Sequence, residues 1–172
     1  MIELEKTYLA KFIPEDLKNY NFKTILDIYI PQTSEHPKLR LRQTGNRYEL
    51  TKKEPIQEND ASEQEEQTII LSEPEFNEFK KITGKKVHKI RYYYKYHDLI
   101  IEFDIFQDDL LGLVLIDIEF KTVEEKNNFI MPDFCLIEVT QETFIAGGKI
   151  CGKKYEDIEN DLNRFNYKKL YV

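Results

Sequence analysis

Residues 98–121, DLIIEFDIFQDDLLGLVLIDIEFK, alternate apolar and acidic side chains over two short runs joined by an acidic turn. Every second side chain of a strand shares a face. Glu102 and Asp104 are therefore set against Leu99, Ile101, Phe103 and Ile105. The second run repeats the arrangement, with Asp117 and Glu119 opposed to Val114, Ile116, Ile118 and Phe120. A hairpin of this kind gathers four carboxylates on one side, where they repel one another unless water or a counter-cation separates them. Taken alone, the hairpin better fits the wetted face of an ordinary antiparallel sheet. The sharper reading is a concave site in which the carboxylates hold a hard divalent cation. The other strands decide between the two.

The opening run, IELEKTYLA, puts Glu3, Glu5 and Thr7 on one face and Ile2, Leu4, Lys6 and Tyr8 on the other. Pro14 opens a short helix through Leu17, and FKTILDIYIP follows as a strand whose more polar face carries Asp27 and Tyr29. After the surface loop QTSEHPK, the segment LRLRQTGNRYELTKK reads as a hairpin turning at Thr44 to Asn46. Its first strand aims Arg40 and Arg42 to one side, and its return strand sets Glu49, Thr51 and Lys53 opposite Tyr48 and Leu50. Two arginines one pleat apart can fork onto phosphate or carboxylate oxygens.

Residues 54–67, EPIQENDASEQEEQ, are polar and acidic and are expected to form a mobile connection entering a strand near Glu66. Glu66 and Thr68 then share the polar face, against Ile69 and Leu71. Ser72 with Glu75 forms a capping box, with Pro74 in the first turn and Phe76, Phe79 and Ile82 at helical spacing up to Gly84. VHKIRYYYK is a strand with Lys89, Arg91 and Tyr93 on one side. Thr122 and Glu125 cap a helix ending near Phe129, LIEVT is a last short strand, and AGGKICGK looks flexible. An amphipathic helix is expected over 155–170, with Ile158, Leu162 and Phe165 inward.

At 172 residues the chain fits one domain spanning 1–172. A net charge of −7 argues against binding a nucleic-acid duplex, which needs a broad basic face. No run of about eighteen apolar residues is present, and the N-terminus carries acids where a secretory signal would carry basic residues and an apolar segment, so neither a membrane span nor a secretory signal is expected, and the chain reads as cytoplasmic. Cys135 and Cys151 form no CxxC pair and have no histidine at zinc-site spacing. The three histidines make no triad with a nucleophile.

Most strands thus oppose an apolar face to one bearing sign-sorted charges: acids at 3 and 5, arginines at 40 and 42, Lys53, Glu66, Lys89 with Arg91, and the four hairpin acids. A merely solvated sheet has little reason to collect such pairs. If the sheet curls with its charges inside, helices must cover the outer apolar face, and the chain supplies three or four. The expected fold is α+β, a closed antiparallel barrel of about eight strands forming a tunnel with surrounding helices. Opposite charges pairing across the interior would lessen the cost of desolvating them.

These residues resemble the CYTH domain of the triphosphate tunnel metalloenzyme superfamily. The resemblance rests on Glu3-Leu4-Glu5, Leu39-Arg40-Leu41-Arg42, Thr51 to Lys53, Lys89-Ile90-Arg91-Tyr92, Glu102-Phe103-Asp104, and GLVLIDIEF followed by Pro132 and EVT. It implies a tunnel that binds a small-molecule triphosphate, with Mg or Mn as the divalent cofactor and phosphohydrolysis as the activity. It further implies that Arg40, Arg42, Lys53, Lys89 and Arg91, with Glu66 and Lys149, contact substrate. Glu3, Glu5, Glu102, Asp104, Asp117 and Glu119 would hold the metal and position water, and Glu5, Asp104 and Lys89 would act in catalysis. A homodimer is left open.

One departure stands out. The family signature is ExExK, and its lysine would fall on the inward position held here by Thr7. Lys6 is one residue away, and such an offset reverses a strand side chain. Either a bulge turns Lys6 inward, or Lys11 or Lys149 substitutes, or the protein hydrolyses poorly. Other readings are adenylate cyclisation, for which the upstream His-Phe motif is missing, thiamine triphosphate hydrolysis, for which no Trp is present to stack, and a module that binds polyphosphate or nucleotide without turnover.

Overall fold

A computed structural model describes residues 2–57 and 60–172. Nine strands run in the order β5-β4-β3-β2-β6-β7-β8-β1-β9, and an additional β5–β1 pairing closes the first eight into an antiparallel barrel. They are β1 (Ile2–Ala10), β2 (Phe22–Ile30), β3 (Leu39–Thr44), β4 (Arg47–Gln57), β5 (Asp60–Leu71), β6 (Lys85–Tyr96), β7 (Leu99–Phe106), β8 (Val114–Phe120) and β9 (Cys135–Glu138). Closure depends on the way β1 divides its edges. One edge pairs with β8 from Leu4 to Leu9. The other is shared, with Ile2 to Leu4 on β5 and Tyr8 to Ala10 on β9. Helices are short: α1 (Glu73–Phe79), α2 (Val123–Asn128), α3 (Gly147–Ile150) and α4 (Tyr155–Asn163). Among the described residues, no helix is long and apolar enough to cross a membrane.

The alternation read from the sequence sorts the barrel into a charged inside and an apolar outside. Outward side chains of β1, β6, β7 and β8, among them Tyr8, Ile101, Phe103, Ile116 and Ile118, are buried beneath Leu17, Phe129 and Phe134. On the opposite wall Ile28, Leu41 and Leu71 lie under Phe76 and Phe79 of α1. That helix begins with the expected reciprocal cap between Ser72 and Glu75, but Ile82 falls past its end and is exposed. Gly84 follows because β2 runs so close that a Cβ there would lie 2.6 Å from Ile28 Cγ2 and 2.7 Å from Tyr29 O.

A third cluster reaches inside the barrel wall. Leu9, Tyr29, Val87, Phe106 and Leu115 share an apolar core with Val139, Ile145 and Ile150 and with Tyr155, Ile158 and Leu162 of α4. The polarity of the inward face therefore changes along the barrel, from carboxylates and cations to an apolar floor built by the C-terminal segment.

Three further expectations need correction. Within 54–67, Glu58 and Asn59 lie outside the described residues, and the remainder is paired strand, with Lys53 opposite Glu66 and Gln57 opposite Asp60. Composition pointed to a loop, but tertiary partners satisfy this polar hairpin. Lys126 of α2 reaches Ser62 Oγ at 2.8 Å and Glu63 at 2.9 Å, and β1 pairs with residues 63–65. The AGGKICGK stretch contains α3, with Gly148 and Ile150 buried. The last helix stops at Asn163 rather than near 170, and Asn166 takes a left-handed φ of 55° that Asn tolerates better than most residues. Beyond it Tyr167 straps the tail to the sheet, its hydroxyl accepting from Val114 N at 2.8 Å and donating to Gly112 O at 2.9 Å.

Candidate active site

The inward faces enclose a cavity of about 650 Å³. Glu3, Glu5, Arg40, Arg42, Lys53, Glu66, Lys89, Arg91, Glu102, Asp104, Asp117 and Glu119 all line it. Lys149 does not, although its neighbours Gly148 and Ile150 do. Neither of the other lysines that could stand in for the signature cation enters. Lys6 points outward onto Glu138 at 3.4 Å, and Lys11, just past the end of β1, is exposed. No bulge interrupts β1 against β8 there, since Lys6 opposes Ile118 and Thr7 opposes Asp117. The Thr7 hydroxyl instead donates to Asp117 Oδ1 at 2.8 Å.

Arg91 is the hub of one half of the site. Its Nε and Nη2 donate to the two Asp104 oxygens at 2.6 Å each, Nη2 also reaches Asp117 at 3.1 Å, and Nη1 meets Glu102. Lys89 adds a bond to Asp104. This follows from register, because Arg91 opposes Asp104 across β6 and β7 while Glu102 opposes Asp117 across β7 and β8. Burial favours the neutral form of Asp104, but Arg91 and Lys89 outweigh it and hold the carboxyl far below the usual range. Lys89 goes the other way. Its burial, with Arg91 and Arg42 nearby, lowers its pKa in spite of Asp104.

The other half contains two separate pairings. Arg42 Nε and Nη2 donate to Asp27 at 2.7 and 2.8 Å. Burial acts against ionised Asp27, yet Arg42 holds its pKa down to about 2. Lys53 bridges Glu5 at 2.9 Å and Glu3, and Gln64 donates to Glu5 at 2.7 Å. Arg40 has the longest carboxylate pairing of these cations, although its guanidinium also hydrogen-bonds the Tyr29 hydroxyl. Its nearest carboxylate oxygen, on Glu66, lies 3.8 Å away, and its Nε is a buried donor with no hydrogen-bond acceptor.

Asp27 and Gln64 escaped nomination from the sequence. Asp27 was visible on the polar face of its strand but carried no motif. Gln64 lay in the presumed loop. His36 and Lys38, at the rim, were read as a surface loop.

Among the described residues the cavity has a deficit of positive charge: ten carboxylates line it, against six lysines and arginines. Its strain concentrates at Glu119, where burial and then the Glu102 and Glu3 carboxylates push the pKa up to about 7. A hydrogen bond between Glu3 and Glu119 lowers the first as it raises the second. A set of hard oxygen donors short of cations suits a hard divalent cation. Among the described residues no three such side chains yet converge as ligands around one point, since Lys53 and Arg91 stand between the carboxylates. The donor chemistry fits a divalent ion.

No family model matches the sequence. An inorganic triphosphatase of Nitrosomonas europaea is 30% identical over 144 residues, covering 83% of this chain and 91% of that protein. The crystal structure of the inorganic triphosphatase NE1496 superposes with a TM-score of 0.63 at 24% identity, over 88% of this chain and 95% of the other. PH1012 from Pyrococcus horikoshii matches over 97% and 92% of the two chains, with a TM-score of 0.52 at 18% identity. The two structures share the fold, and the sequence relationship carries the kinship: this chain belongs to the CYTH-domain, triphosphate tunnel metalloenzyme superfamily.

Proposed function

We propose that this protein is a triphosphatase that hydrolyses inorganic triphosphate or a related linear triphosphate, with Mg or Mn as a divalent cofactor and residues 1–172 acting as one domain. The observation that supports this reading is the meeting of six lysines and arginines with ten carboxylates, among the described residues, in one cavity, where Arg40 presents a donor without an acceptor. The activity named for the Nitrosomonas relative supports the same substrate class.

Hydrolysis of a triphosphate asks little covalent help of a protein and much neutralisation of charge. Arg40, Arg42, Lys53, Lys89 and Arg91 would bind the phosphate oxygens. Glu3, Glu102 and Glu119, which already perturb one another, would hold the cation, with Asp104 and Asp117 fixing Arg91. A bound divalent cation would neutralise phosphate oxygens in the transition state. Glu5, whose pKa is raised by burial and by Asp117 and Glu3 despite Lys53, would orient a water and take its proton. The water oxygen bonds to the terminal phosphorus, the bridging P–O bond breaks, and phosphate and diphosphate leave. Lys89, its pKa lowered by burial, would donate a proton to the departing oxygen.

One observation favours a second reading, capture without turnover: Thr7 occupies the signature lysine's position, and neither Lys6, Lys11 nor Lys149 lines the cavity. Folded protein with Mg or Mn is expected to release phosphate from tripolyphosphate across about pH 7 to 10. A rise in melting temperature with tripolyphosphate but no product would assign the capture module instead, and neither effect would refute both.

The raised Glu119 gives a pH prediction. A carboxyl whose folded pKa is about 7, against a usual 4.5, binds its proton more tightly when folded. That contribution is fully present below the unfolded pKa and is lost as pH rises through about 7. Compared with Glu119→Gln, metal-free wild type should therefore lose melting temperature between about pH 5 and 8. Adding Mn should flatten the difference and release protons. Parallel profiles for the two proteins in calorimetric scans would contradict the assignment.

A further inference from the structure

Alternation along β3 does not end at Arg40. Lys38 is two residues earlier on the same inward side, just before the strand begins at Leu39, and it lines the cavity. One pleat repeat is about 7 Å, so Arg42, Arg40 and Lys38 form a row of three cations leading from the Asp27 pair toward the rim.

The rim around Lys38 is built rather than incidental. Lys38 Nζ lies 3.3 Å from His36 Nε2. The segment carrying Lys149 is seated directly on that loop, since a Cβ on Gly148 would lie 2.3 Å from Pro37 O and 2.7 Å from His36 Cδ2. Only glycine permits this approach, which brings Lys149 close enough to repel positive charge on both His36 and Lys38. Among the described residues neither Lys38 nor Lys149 has an ion pair. The acids nearby are otherwise engaged or turned out: Glu54 is tied to Lys52 at 2.8 Å, Glu142 to Arg164 at 3.3 Å, and Glu35 is exposed. Three basic groups thus crowd together half-buried without an ion pair, with only the carboxylate of Glu54, already tied to Lys52, acting on Lys38 from a distance, and two residues along the chain the Arg40 Nε lacks an acceptor. Crowding of this kind is relieved by an anion. Burial and the two lysines lower the pKa of His36, and an anion would raise it again.

We propose that Lys38, with His36 and Lys149, forms a second anion subsite at the rim, continuous with Arg40, that takes the further phosphoryl groups of linear polyphosphates longer than triphosphate. The inference rests on the triphosphate reading of the cavity and adds a chain-length preference to it. On this account Lys149 acts at the rim and not in place of the signature lysine.

The test is calorimetric titration of the intact protein with inorganic tripolyphosphate and tetrapolyphosphate, in chelator to prevent turnover. The readout is the ratio of the two affinities, so that any uniform loss cancels. Wild type is expected to favour tetrapolyphosphate by about tenfold, the worth of one or two charge-assisted contacts. Lys38→Gln should bring the ratio to about one, and Lys149→Gln should lower it part of the way. Both positions are partly exposed, and an unchanged melting temperature establishes that the variants fold. Binding of tripolyphosphate with a wild-type ratio near one, or a ratio that survives Lys38→Gln, overturns the subsite and leaves the triphosphate reading intact. Binding of neither compound overturns both.

Discussion

Replacing Asp104 by alanine is expected to destabilise the protein by about 3 to 5 kcal/mol and to abolish triphosphate hydrolysis. Asp104 is 1% exposed and satisfies both Lys89 and Arg91. Deleting it leaves two buried cations facing each other, and the cost is that of uncompensated buried charge rather than of one lost contact. The pH dependence of the wild type has the matching sign. The folded pKa of Asp104 is depressed, so its contribution is complete above the unfolded value near 4 and is lost as acid protonates the folded carboxyl. Asp27, held at about 2 by Arg42 in spite of burial, is lost over the same acid range. Urea unfolding at neutral pH measures the first effect, and a loss below about 1 kcal/mol would show that Asp104 does not carry the lattice.

Arg40→Ala should do the reverse. Its side chain is 16% exposed, its carboxylate neighbour Glu66 stands at 3.8 Å, and a buried Nε goes unsatisfied. Removing a donor that has no acceptor relieves a cost as it deletes a contact, so stability should change by less than about 1 kcal/mol. The same donor is available to a phosphate oxygen, and a charge-assisted hydrogen bond is worth about 2 to 3 kcal/mol. The expected loss in kcat/KM is therefore about 30- to 150-fold. Steady-state kinetics beside a melting curve separate the cases. A large fall in stability with unchanged kcat/KM would make Arg40 a structural residue.

The two variants differ because the cavity contains both lattice cations and waiting ones, a distinction invisible in the sequence. Alternation with sorted charges was legible: it oriented the inward faces of β1, β3, β4, β6, β7 and β8 and implied that the charges look inward across a closed barrel. Register was not legible, and register makes Arg91 the partner of Asp104. Residues 54–57 and 60–67 read as a loop in the sequence because their strands are polar on both faces. Such a segment has little intrinsic preference for a sheet, and Lys126, β1 and Gln141 hold it from afar. The apolar floor escaped for a similar reason, since Val139, Ile145 and Ile150 meet Leu9 and Phe106 only once the chain has folded back across the barrel. Thr7 was recognised as a departure from the motif, and its hydroxyl bond to Asp117 became visible only in three dimensions.

A crystal structure with tripolyphosphate bound in the absence of divalent metal would test most directly whether the inward charges form a phosphate-binding site. The account predicts the anion inside the barrel, with an oxygen within hydrogen-bond reach of Arg40 Nε and others near Lys89 and Arg91. An anion on the outer surface, or an interior in which the existing ion pairs exclude it at saturating concentration, would contradict it.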